Sequence, residues 1–144
     1  MEGMTLIVKT VARVVVGCIV VFGIYITLTG HLTPGGGFPG GVMIALGYIL
    51  VMLAFGKGLC TRKLSESVAS SLDSVGALAF LAIALLGLTG GYFFRNFLPK
   101  GMPFGFISAG SIPLSNIAIG LKVAVSLFLA VLLLSIFRER VEGG

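Results

Sequence analysis

GHLTPGGGFPGG, from Gly30 to Gly41, separates two long apolar runs and decides the fold. Gly35, Gly37 and Gly40 satisfy a G-x-G-x-x-G spacing. A dinucleotide site needs that spacing between a strand and a helix, with an acid about 20 residues on. Here an apolar run precedes it, and Phe55–Cys60 holds no acid. A P-loop fails as well, because Lys57 is followed by Gly58. The stretch reads better as a rigid reversal between two membrane helices. Gly35–Gly37 are free to take positive φ and turn the chain sharply. Pro39 suits the first turn of the next helix, where its missing N–H costs nothing. Gly40 and Gly41 then let that helix start lie against another backbone. The free N–H groups there would favour an anion or a carboxylate.

Outward from the loop, the composition is that of a membrane protein. The 144 residues are 57% hydrophobic and 10% charged, with a mean hydropathy of +1.14. A soluble domain is about 45–50% apolar and about 25% charged. A 14.9 kDa globule has too little interior for this excess. Four apolar runs, Leu6–Leu28, Phe38–Phe55, Val68–Leu88 and Ile112–Phe137, suit spanning helices of about 17–25 residues. In lipid the backbone must pair with itself, so helices form despite many valines and isoleucines. The expectation is an all-α integral membrane protein, one four-helix domain over 1–144, multi-pass in the cell membrane.

Lys9, Arg13, Lys57, Arg62, Lys63, Arg138 and Arg140 fall on the side of the termini, and Arg95 and Lys100 on the other. The excess of bases places both termini in the cytoplasm. The net charge of +5 therefore reads as orientation, not nucleic-acid binding. Lys9 and Arg13 ahead of an apolar run imitate a signal peptide, but the run is long and lacks a small-x-small cleavage site, so it reads as a retained first helix. Cys18 and Cys60 lack any metal-ligand spacing and read as inert thiols. Ser67, Ser70, Ser71 and Ser74 form one stripe on the third span, either close helix packing or the wall of a wet cavity. There is one histidine, and no nucleophile–base pair, metal-ligand cluster or haem-type pair is evident. No catalytic role, cofactor or metal is expected.

Lys122 is the sharpest chemical clue. It stands ten residues into the fourth span, about 15 Å below its start. Insertion of a central lysine costs about 2.5–3.5 kcal/mol, so it needs an acid, water or a lowered pKa. Ser115 and Ser126 share its helix stripe but cannot neutralise it. Asp73 is the one acid inside a span, about 7 Å from the opposite end of the third helix. At that depth it is expected to meet Arg13, or Lys57, as a structural ion pair. Lys122 is then expected to find its partner in a neighbouring subunit or hydrated channel, as a fixed salt bridge or as a titrating, ion-gating group, the remaining alternative being an idle, snorkelling lysine. His31 reads either as a hydrogen-bonding anchor or as a proton group. Lys122, Asp73 and His31 are the ion-path candidates.

Gly30, His31, Pro34, Gly35, Gly36, Gly37, Phe38, Gly40 and Gly41 match the pattern G-H-x-x-P-G-G-G-F-x-G-G. In this motif, and in helix number and length, the chain resembles the MnhB/MrpB family of small subunits of multisubunit cation/proton antiporters. The segment IPLSNIAIGLKVAVSLF, Ile112–Phe128, carries Lys122 and no acid. That version is similar to the MnhB-type subunit of archaeal membrane-bound hydrogenases and sulfur-reducing complexes. The resemblance implies a non-catalytic subunit that helps form a Na⁺ or H⁺ path, coupled to electron transfer elsewhere in a hetero-oligomeric complex. Other membrane subunits and lipid are the implied partners, with no nucleic acid. A structural spacer between antiporter and redox modules, a subunit of a stand-alone antiporter, and an independent small transporter are the alternatives.

Overall fold

The computed structural model describes residues 4–92, 98 and 110–143. Most of the connection after the third span, with Arg95 and Lys100, lies outside the described residues. Among the described residues five helices follow in order: α1 (Leu6–Thr29), α2 (Gly37–Phe55), the short α3 (Lys57–Lys63), α4 (Glu66–Leu88) and α5 (Ile112–Glu142). Four of them are long and apolar enough to cross a membrane. The chain is an all-α, multi-pass membrane protein.

Each boundary has a local cause. Gly36 takes φ 122° before α2 begins, so of Gly35–Gly37 it is Gly36 that makes the left-handed turn. Pro39 sits in the first turn of α2, and Pro113 in that of α5. Gly56, at φ 90°, ends α2 and starts α3, an element that the basic KGLCTRK stretch does not advertise. Ser65 caps α4 by accepting from the Val68 N–H at 3.3 Å.

α2 packs against α1 on one side and α5 on the other, while α1 meets α5 more lightly. α4 leans on α5, its one extensive contact among the described residues. At its glycines the seam of α1, α2 and α5 brings backbone close to backbone. A Cβ on Gly40 would collide with Thr27 Oγ1 and stand 2.7 Å from the Gly23 carbonyl oxygen. One on Gly41 would lie 2.6 Å from the Gly120 carbonyl oxygen, and one on Gly37 would collide with the Asn116 carbonyl oxygen. The Thr27 hydroxyl donates to the Gly23 carbonyl at 2.9 Å, so this buried polar group is satisfied within its own helix. Small residues permit such approach where no hydrophobic drive pulls helices together.

Side-chain packing concentrates at the other end. Met52, Cys60, Phe128 and Leu132 form a buried cluster that includes α3. Tyr48 lies edge-on to Phe128, with ring centroids 6.0 Å apart. Most remaining large apolar side chains point outward, from Leu6 and Val14 to Leu78 and Leu134, as a lipid-facing surface requires.

Candidate ion-path site

Lys122 finds its counter-charge within this chain. Its Nζ donates to Asp73 Oδ2 at 2.6 Å, joining α5 to α4. The Ser126 hydroxyl, one turn further along α5, donates to Asp73 Oδ1. Both carboxylate oxygens are therefore engaged. The expectation that Lys122 takes its partner from a neighbouring subunit is overturned, and so is the Arg13–Asp73 pair. Arg13 instead stands over the Phe55 ring, 5.7 Å from its centroid, a cation–π contact between α1 and α2. Lys57, the other suggested partner, bonds the Ser135 carbonyl at 2.7 Å and pairs with Glu139 at 2.8 Å.

The reason lies in helix register. A Cβ on Gly76 would stand 3.1–3.2 Å from the backbone N, Cα and Cβ of Lys122, so these two residues are level where α4 crosses α5. Asp73 is three residues nearer the start of α4, about 4.5 Å along the axis, and Ser126 is four residues beyond Lys122. The carboxylate thus falls between the levels of its two donors. Glu66 at the start of α4 is level with Leu132, and α5 runs ten residues further to Glu142, about 15 Å. Depth measured from the ends of unequal spans misplaces the pair.

The cluster is not sealed. The side chains of Lys122 and Asp73 are 40% and 26% exposed, although they stand inside two spanning helices, about three and two turns from the respective helix starts. Ser67, Ser70, Ser71 and Ser74 are exposed on α4. The Ser71 and Ser74 hydroxyls donate to the carbonyls of Ser67 and Ser70 at 2.9 and 3.1 Å. These donors need no water, which suits a face against lipid or another helix.

His31 is half-buried in the turn after α1. Its neighbour Gly30 abuts Asn116, six residues before Lys122 on α5, about 9 Å of helix rise from the cluster. The structure brings Lys122 and Asp73 together and leaves His31 at the glycine turn. The rest of the motif is packing: Gly36, Gly37, Gly40 and Gly41 are buried, while Pro34, Gly35 and Phe38 are exposed. The first turn of α2 abuts Asn116 of α5 rather than an open surface.

Residues 7–129 match the family model described as a domain related to the MnhB subunit of Na⁺/H⁺ antiporters. The chain belongs to this MnhB-related family. An uncharacterised protein of Methanocaldococcus jannaschii is 38% identical over 96% of this chain and 55% of its own length. A Staphylococcus haemolyticus protein named as antiporter subunit MnhB2 is 30% identical over 64% of this chain and 62% of its own. This MnhB-type chain therefore spans less than two thirds of the curated relatives it matches. A chain of the membrane-bound sulfane sulfur reductase, an archaeal respiratory membrane complex, superposes with a TM-score of 0.73 at 29% identity, covering 90% of this chain and 60% of that one.

Proposed function

We propose that this chain is a non-catalytic subunit of an Mrp-type Na⁺/H⁺ antiporter module within a redox-driven ion-pumping complex, and that Lys122, Asp73 and Ser126 line its ion path. The reading is carried by an ion pair set inside two spanning helices and only partly covered by this chain. Ionisable groups inside spanning helices are costly and mark ion and proton pathways. Family membership and the likeness to a chain of a respiratory membrane complex support the assembly part. Other membrane subunits are its partners, and both termini face the cytoplasm, as the distribution of Lys and Arg indicates.

The engagement of both Asp73 oxygens favours a second reading, a fixed strut in a spacer between antiporter and redox modules. Transport decides between them. The complex carrying Lys122→Met or Asp73→Asn is purified with its co-purifying chains and reconstituted. Ion movement falls at least tenfold with assembly intact if the cluster lines the path. Wild-type rates from both variants leave the strut.

A further inference from the structure

We infer that the ion handled at the Lys122–Asp73 pair is a proton and not Na⁺; this rests on the ion-path reading above. The donor set carries the argument. The cluster offers one carboxylate, with both oxygens engaged, and one hydroxyl. A hard cation exchanges its water for several oxygens, about six to eight for Ca²⁺. Na⁺ at Asp73 would also have to stand beside the ammonium already there or expel it. A proton needs one lone pair and no cage.

Among the described residues, no other ionisable pair stands at the level of Lys122 and Asp73. Between Arg13 and Lys57 the sequence of α1 and α2 contains no Asp, Glu, Lys or Arg. The tyrosines of those helices face rings, Tyr25 against Phe22 and Tyr48 against Phe128. Cys18 is exposed on α1, and His31 is at the glycine turn. On α4 the nearest other ionisable residue is Glu66, two turns away at the helix start; on α5 it is Arg138, four turns away.

The exchange balances with water alone. A hydronium ion at the exposed flank gives its proton to Asp73 Oδ2, forming the O–H bond and removing the counter-charge of Lys122. Lys122 Nζ then releases one proton to a second water. The neutral amine takes the proton of the Asp73 carboxylic acid, which restores the carboxylate–ammonium pair. One proton enters and one leaves. Ser126 stays on Oδ1 and keeps Oδ2 directed at the amine.

Arginine separates charge from proton release, because its guanidinium pairs with a carboxylate yet does not deprotonate in proteins. The reconstituted complex with Lys122→Arg is expected to assemble and to lose proton movement at least tenfold. Equilibrium binding of ²²Na⁺ to the Asp73→Asn complex is expected to stay within twofold of wild type. Wild-type proton movement by Lys122→Arg, or a tenfold loss of ²²Na⁺ affinity in Asp73→Asn, overturns the proton assignment and leaves the ion path standing. Wild-type movement of both ions by Asp73→Asn and Lys122→Met sinks the ion path itself. A measurement without variants is also open, since Asp73 is the sole aspartate of the chain. In the full chain in lipid, labelled with ¹³C-aspartate, the infrared carboxylate band is expected to convert to a carboxylic-acid band on acidification. A carboxylate that stays ionised throughout the folded range overturns the proposal.

Discussion

Replacing Gly40 by alanine tests the backbone seam that holds α1, α2 and α5 together. The added Cβ would collide with Thr27 Oγ1 and lie 2.7 Å from the Gly23 carbonyl oxygen and 3.0 Å from the Thr27 nitrogen. Reaching an ordinary contact of about 3.4 Å requires α1 and α2 to part by about 0.7 Å, and overpacking of this kind costs about 1–3 kcal/mol. Displacing the buried Thr27 hydroxyl from the Gly23 carbonyl adds about 1 kcal/mol. Alanine is the better helix former by about 1 kcal/mol, which offsets part of that. The net expectation is a loss of about 1–3 kcal/mol. Gly17 is the control, for it lies in α1 with nothing within 4 Å of its added Cβ. Gly17→Ala should leave stability unchanged or raise it by up to about 1 kcal/mol. Both variants are unfolded by denaturant in detergent micelles, read by circular dichroism and by the reactivity of buried Cys60. Equal stability of the two would refute the seam argument.

Three further expectations follow from other contacts. Gly76→Leu should push Lys122 off α4 and reduce ion movement by the complex as much as Asp73→Asn does, while Gly76→Ala, facing contacts of 3.1–3.2 Å, should cost under about 1.5 kcal/mol. Lys57→Met removes the exposed pair with Glu139, and loss of its bond to the Ser135 carbonyl should cost about 0.5–1.5 kcal/mol in denaturant unfolding. A green fluorescent protein fused after the last residue should fluoresce in bacterial cells, and a dark fusion with an active periplasmic reporter would invert the proposed orientation.

The elements that single residues announce were legible in the sequence. The spans follow from run length, the turn from Gly35–Gly37, the α2 start from Pro39, and the members of the ion pair from charges inside apolar runs. What escaped was relative placement. Lys122 and Asp73 were both visible, but their pairing depends on the level at which α4 crosses α5, fixed by the Gly76 contact with the Lys122 backbone. Counting from helix ends ignored the overhang of α5 and the reach of a lysine side chain. In the same way, Gly23, Gly40 and Gly120 could each be read as packing residues, yet nothing in the sequence says that Thr27 is where two of them meet. α3 was hidden because a seven-residue basic helix closing an apolar cluster through one cysteine has no periodicity to detect.

The bare-backbone seam has a mechanical side. Where the glycines meet, the three helices touch backbone to backbone with no flexible side chain to slide on, and there they would move as one post. α4 hangs from that post along a single edge, like a leaf on a hinge. Any swing of α4 against the other described helices would turn about the line where an ammonium and a carboxylate clasp each other.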